Sequence, residues 1–501
     1  MTRQVSQEDP KAALPVPPGS GPAAAAALPA TAGHSLLRSF QLLDLTSLSI
    51  SSVGPLFSIA ATGGVMAAAS GWWTLPAIGL IAIPFVISAF VFRLLNRHFP
   101  HAGASYHWAA RVLGRRPARF QAFVLLLAYF GSIPPIIIPA ATYTRVLVAP
   151  GWHAPPVALL GLSAFWVLFA LVPLLSGGRP TARLTQAFLL LELISIAAIA
   201  VLAIRAWPRL HVPFHPGPLP IGGVLVTAIV ASTILDGWEI DSYAAEESHR
   251  PRADPGTAGI IGALVALAIY ALLFPLMLGE TPLHLLAHAT NPMSVWGHRL
   301  VPGAPWVILV PVLASTAGGL WLTSFILTRA LYAMARDGLL PRQLARLSRR
   351  RVPSVAILGA LGAALLVTAG ETLFPSVASF FSLVLASAGF FLTLEFFLDS
   401  LTASVFLTRG HHGDVRERLS AHQHRALQLA AVGSSTLLLA FLAGFLVLGP
   451  HVIGGGIDLV IGVLLVCGVA FMVLRRHTAH QPLVLFVPEQ SAGRPGGGDG
   501  G

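Results

Sequence analysis

Charge is what this chain has least of. Asp, Glu, Lys and Arg supply 10% of its 501 residues, against roughly 25% in soluble proteins. That deficit excludes a string of soluble domains. Cysteine is nearly absent too: the single Cys467 can form no intramolecular disulfide and reads as a small packed hydrophobe in the last apolar segment. The N-terminus lacks a basic start followed by an apolar run, so the sequence predicts a flexible tail over 1–35 and no signal peptide. There is no nucleophile elbow, phosphate-binding glycine loop or ATPase segment. His98, His101 and His107 cluster, as do His411 and His412, but without Cys partners or an HExxH spacing. A bound metal therefore has little support, and no resident cofactor is expected.

What is present is apolar. Hydrophobic residues make up 55% of the chain, and mean hydropathy is +0.76. Uncharged runs at 75–92, 120–144, 154–178, 256–279, 304–328, 352–370 and 426–457 recur along it. Each is near or above the ~18–20 residues that cross a bilayer as helix. The pattern predicts an all-α polytopic membrane protein. Its helices fall at about 45–71, 75–95, 120–145, 155–177, 183–204, 218–245, 256–279, 305–334, 353–370, 376–407, 427–448 and 452–474.

Twelve helices also organise the charge. The net charge of +11 could suggest nucleic acid. Of the 31 basic residues, however, all but Arg145, Arg205, Arg209 and Arg299 fall in segments on one side of such an arrangement. That bias is the positive-inside rule, and it predicts both termini in the cytoplasm. Trp72, Trp73, Trp152, Trp207, Trp296 and Trp306 gather at the opposite interface, where amphipathic rings settle. The lipid bilayer is thus the expected partner, and nucleic acid is not. The oligomeric state is left open.

Between the tails 1–35 and 475–501, the segments divide into a first five over 36–207, a second five over 218–407 and a final pair over 426–474. The loop 280–305 contains Leu283-His284-Leu285-Leu286, which suggests a short covering helix. Gly338 suits a left-handed C-cap for the eighth segment. After Pro341, residues 342–347 read as a short amphipathic helix.

Two segments are interrupted. Ser51-Ser52-Val53-Gly54-Pro55 breaks the first and Leu235-Asp236-Gly237-Trp238-Glu239 breaks the sixth. Backbone groups freed in lipid cost several kcal/mol each unless something satisfies them. Breaks five segments apart point to a transporter of inverted repeats with its substrate at the breaks.

Three stretches carry a resemblance. Phe99-Pro100-His101-Ala102-Gly103-Ala104-Ser105-Tyr106 is similar to the FPxAGGxY stretch of the amino acid–polyamine–organocation (APC) permeases. Asp236-Gly237-Trp238-Glu239, with Glu246-Glu247 and Pro251, resembles their helix 6 and its exit. Arg329-Ala330-Leu331-Tyr332-Ala333-Met334-Ala335-Arg336-Asp337-Gly338-Leu339-Leu340-Pro341 resembles their helix 8 signature most closely. The resemblance implies a five-plus-five inverted-repeat core with two added helices, and secondary active transport of amino acids or related amines by alternating access.

The candidate substrate site follows. After the first break, amides of Leu56 and Phe57, with Gly54 and Ser52 before them, could receive a carboxylate. The family's run there is GSGIF-like, and here Pro55 removes one donor. In the sixth segment, carbonyls of Thr233 and Ile234 could accept from an ammonium. Gly237 permits the turn, Trp238 could close over the ligand, and Asp236 is an acid at membrane depth. Glu192 is the lone ionisable residue in the middle of the fifth segment, which suits a proton carrier or a structural acid bonded to freed backbone. Some family members have a lysine there, so the charge type is reversed. Thr323 and Ser324 offer hydroxyls for Na+, or simple bonds to carbonyls four residues earlier. Glu395 and Asp399 share one face of the tenth segment. Proton coupling is the working expectation. The alternatives are sodium coupling, exchange of a non-amino-acid organic solute, an intramembrane enzyme and a channel.

Overall fold

The structure, a computed structural model, describes residues 36–289, 291–304, 306–374, 376–409, 419–454 and 456–474. The two predicted tails, 1–35 and 475–501, and the pair His411 and His412 lie outside those residues. Among the described residues the secondary structure is helical, with one isolated β-bridge between Phe40 and Ser248.

The first apolar stretch is divided into α1 (Leu42–Val53) and α2 (Pro55–Ser70). Gly54 between them has φ +53°, and Pro55 has no N–H with which to continue the ladder. A single 3-10 turn over Gly71–Trp73 leads to α3 (Thr74–His98), then α4 (Ala104–Val112), α5 (Arg115–Ser132) and α6 (Pro134–Val148). Next come α7 (Pro156–Ser176) and α8 (Gly178–Leu210). The second interrupted stretch gives α9 (Ile221–Ser232) and one turn, α10 (Ile240–Tyr243). Then follow α11 (Asp254–Glu280), α12 (Leu283–Ala287), α13 (Pro292–Leu300), α14 (Trp306–Arg336), α15 (Ser354–Ala369), α16 (Val377–Arg409), α17 (Ala421–Ile453) and α18 (Ile457–Leu474).

Among the described residues, ten segments are long and apolar enough to cross a membrane, the first holding α1 to α3 over 57 residues. This is a multi-pass membrane protein. Its surface agrees: Leu190, Ile194 and Val201 on α8 and Leu459, Val463 and Val466 on α18 are exposed, while Glu192 is buried. Cys467 is also exposed on α18, so it is not the packed hydrophobe expected of it. α18 is the last helix and presents most of its surface outward.

α14 is buried along most of its length. It packs on α1, α2 and α8, while α9 lies against α2, α3, α16 and α17. Gly338 takes φ +81° just after α14, the left-handed stop its position predicts. The loop helix expected at 283–286 forms as α12, and α13 adds a second that the sequence reading did not anticipate. The amphipathic helix expected over 342–347 is only a 3-10 turn, Arg342–Ala345, because Arg346 is already extended.

A candidate substrate site at two broken helices

The two breaks touch. Gly237 has φ +109°, and a Cβ there would lie 2.9 Å from the Ser52 carbonyl and 3.0 Å from the Val53 nitrogen. Only glycine lets the backbone after α9 rest on the backbone that ends α1. Glu239 turns back to accept the Gly237 N–H at 2.9 Å and the Tyr129 hydroxyl at 2.8 Å.

At the start of α2 the freed amides are already taken. Leu56 donates to Glu192 Oε1 at 3.1 Å and Phe57 donates to Ser315 Oγ at 3.0 Å. Ser315 in turn donates to the same Glu192 oxygen at 2.6 Å. The fifth-segment acid is therefore bonded to backbone freed by the break, one of the two roles its position suggested. Ser315 itself escaped the sequence reading. Its signal was the small-residue run Ala314-Ser315-Thr316-Ala317-Gly318-Gly319, which lets α14 approach so closely that a Cβ on Gly318 would meet Ser51 Oγ at 2.8 Å.

A small cavity of about 30 Å³ lies between the breaks. Of the residues singled out from sequence, Ser52, Phe57, Thr233, Ile234, Asp236 and Thr323 line it. Ser58, Thr62 and Ser132 add hydroxyls, and Pro135, Ile136 and Leu385 make an apolar wall. Asp236 Oδ1 is buried without a hydrogen-bond partner. Ala61 lines this cavity and also a larger one of about 620 Å³, which reaches Trp152, Ala287 and Ile453.

Gly54, Leu56, Gly237 and Trp238 shape the breaks without lining the cavity. Trp238 differs most from its expected role as a lid. Its Nε1 donates to the Leu235 carbonyl, and its ring packs against Phe92 and Phe396 at 5.2 and 5.7 Å. Ser324 donates to the Leu320 carbonyl, the ordinary helix back-bond.

Behind Asp236 the acids continue. Tyr243 donates to Glu395 Oε1 at 2.9 Å, and Ser105 donates to Asp399 Oδ2 at 2.8 Å and lies 3.3 Å from the Tyr243 hydroxyl. No ion pair among the described residues involves Asp236, Glu239, Glu395 or Asp399. Glu395 and Asp399 thus belong to one hydrogen-bonded chain with Tyr243 and Ser105, neither of which the sequence singled out.

One end of the bundle is clamped. Arg336 bonds both Glu246 oxygens at 2.6 and 2.7 Å, and Arg329 bonds Glu247 at 2.9 Å. Burial works against the Glu246 carboxylate, but Arg336 and the Ala102 amide outweigh it and hold the group below its usual range. Burial pushes Asp337 up to about 7 against the pull of Arg336. Burial, then Arg111, brings His107 down to about 3; burial and His107 lower His101 well below its usual value. Donor atoms of His101, His107 and Asp337 come within 4.8 Å of one another. Yet the two rings stack at 3.9 Å and 12°, so their in-plane lone pairs run side by side and do not converge on one ion. Arg336 also covers His101 Nε2 at 2.7 Å.

With this geometry in view, the comparisons with known proteins are specific. The family model described as amino acid permease matches residues 40–471. The chain belongs to that family. This permease is 26% identical over 349 residues to the branched-chain amino acid permease BcaP of Bacillus subtilis (strain 168), covering 65% of this chain and 74% of that one. It is 25% identical over 341 residues to the L-methionine/branched-chain amino acid exporter YjeH of Escherichia coli (strain K12), covering 66% and 76%. Among solved structures, the permease resembles the Eremococcus coleocola manganese transporter with TM-score 0.52 and 15% identity, covering 88% of this chain and 99% of that one. That likeness speaks for the fold alone. Permeases and transporters, not enzymes, are its relatives.

Proposed function

We propose that this permease is a secondary active transporter of amino acids or related amines, working by alternating access about the two breaks. The observation that carries the reading is the contact of Gly237 with Ser52 and Val53, beside a cavity that holds an unpaired Asp236 oxygen. A larger cavity shares Ala61 with it on one side, and buried ion pairs clamp the other end, an asymmetry that supports alternating access. On this reading the chain makes twelve crossings of the cytoplasmic membrane. Two inverted five-helix units, 36–207 and 218–407, precede the pair over 426–474. The clamped end and both termini face the cytoplasm, a placement supported by the arginine bias.

Coupling is to protons through Glu192. Its Oε1 is shared by α2 and α14, so a proton arriving there would release the Leu56 amide and the Ser315 hydroxyl together. Sodium finds less support, since Ser324 is engaged within its own helix. Purified protein in liposomes provides the test. Counterflow exchange of a preloaded amino acid or amine is expected, and an imposed pH gradient should drive uptake in the wild type but not in Glu192→Gln. Flux without counterflow would mean a channel. Full proton-driven uptake by Glu192→Gln would remove the proton from that residue.

A further inference from the structure

Every amide that opens α2 can be accounted for. Pro55 has none. Leu56 donates to Glu192 Oε1 at 3.1 Å, Phe57 to Ser315 Oγ at 3.0 Å, and Ser58 returns to the Gly54 carbonyl at 2.8 Å. A half-helix start is where an incoming solute's carboxylate would be received. Here the place is filled by a carboxyl that the chain brings from α8. Glu192 is 1% exposed, and its Oε1 is held from two sides, by the Leu56 N–H and the Ser315 O–H at 2.6 Å.

The second observation comes from the other break. Asp236 lines the small cavity, is 8% exposed, and has an oxygen with no partner. Among the described residues, no lysine or arginine lines that cavity. An ammonium entering it meets a carboxyl oxygen that lacks a donor. A carboxylate entering it meets Asp236 and a helix start whose amides are spent, with the buried Ser52 hydroxyl as an unengaged donor. A desolvated carboxylate that finds one hydroxyl where two backbone amides are already spent is costly in a water-poor site. Pro135, Ile136 and Leu385 then leave an apolar wall for the rest of the solute.

We infer that the site selects primary amines that carry an apolar tail and lack a carboxylate, with Glu192 as the specificity-determining residue that occupies the carboxylate's place. The inference rests on the transport reading above and narrows its substrate class. Neither Glu192 nor Ser315 is needed for an amine to reach Asp236. Besides the proton coupling proposed for Glu192, their work at this site is exclusion.

The test uses matched pairs that differ by one carboxylate: isopentylamine against leucine, and phenethylamine against phenylalanine. Binding is read by thermal shift of the purified full chain, and transport by counterflow in liposomes. Wild type should bind each amine at least about tenfold more tightly than its amino acid, the size expected for one unmet charge-assisted hydrogen bond. Glu192→Ala frees the Leu56 amide and should shrink that ratio at least about tenfold, chiefly by a gain for the amino acid. Ser315→Ala frees the Phe57 amide and should move the ratio the same way by less, and it serves if Glu192→Ala does not fold. A structural role alone would lower both members of a pair together. Wild-type preference for the amino acids would overturn the inference while leaving the transporter intact, as would an unchanged ratio in both variants. If wild type neither binds nor exchanges any member of either pair, the transport reading falls first and the inference with it.

Discussion

The two broken helices solve the same problem in opposite ways. The first is broken at one left-handed residue, Gly54, and its loose amides are bonded by Glu192 and Ser315 from neighbouring helices. The second is open over residues 233–239 and leaves an Asp236 oxygen buried without a partner. In lipid an unsatisfied polar group costs several kcal/mol. The first break therefore has its amides met as folded, with Ser52 Oγ left over, while the second keeps a buried carboxyl oxygen unmet. A discontinuous helix is thus not by itself a receptor; what matters is which of its freed groups the protein leaves unmet.

Glycine substitutions should separate the two most sharply. Gly237→Ala places a Cβ 2.9 Å from the Ser52 carbonyl at φ +109° and forces the breaks apart. Saturable uptake should disappear, and the melting temperature should fall. Gly54→Ala puts its Cβ 3.4 Å from Ser315 Oγ, an acceptable contact, and costs only the left-handed strain of about 1 kcal/mol. Equal damage from the two would erase the distinction between them.

Asp236→Asn is expected next in size. It removes the acid facing the cavity, and affinity for an amine should fall about ten- to a hundredfold, the worth of a hydrogen bond to a charged group. Thermal stability without ligand should hold. An unchanged affinity would show that the second break is as finished as the first.

The clamp beyond the second break should respond to pH, by a small amount within any one pH unit. Asp337 is raised to about 7 in the fold, so its contribution is complete below about pH 4 and fades as pH rises through 7. His107 is lowered to about 3, so its contribution is present above about pH 6.5 and is lost on acidification toward 3. Between these limits the two slopes oppose each other. Asp337→Asn leaves the histidine slope uncompensated, and the variant should lose up to about 1.4 kcal/mol per pH unit below 6.5 relative to wild type. Melting curves from pH 4 to 8 check this, and parallel profiles for the two proteins would refute it.

Much of the architecture was legible in sequence because lipid imposes length and charge rules on every segment. The expected helix at 183–204 lies within α8, and that at 256–279 within α11. The break positions were legible because Gly54-Pro55 and Gly237 have few other uses inside an apolar run. Side-chain direction was not. Trp238 was expected over a ligand, but Phe92 and Phe396 form an aromatic nest that takes its ring. Ser315 sat unnoticed among small residues whose importance is closeness to α1, a tertiary fact. The chain of acids toward Asp399 depends on Tyr129, Tyr243 and Ser105, which come from distant parts of the sequence.

One modest contact reaches further than its size suggests. Ser39 and Phe40 donate to the Glu247 carbonyl at 2.8 and 3.0 Å, and His249 donates back to Phe40 at 3.0 Å. The stretch that leads into α1 is therefore stitched to the stretch that leaves α10. Neither discontinuous helix can swing by itself at that end. Pulling on one tugs the other, so under the proposed alternating access the pair would travel as a yoked unit.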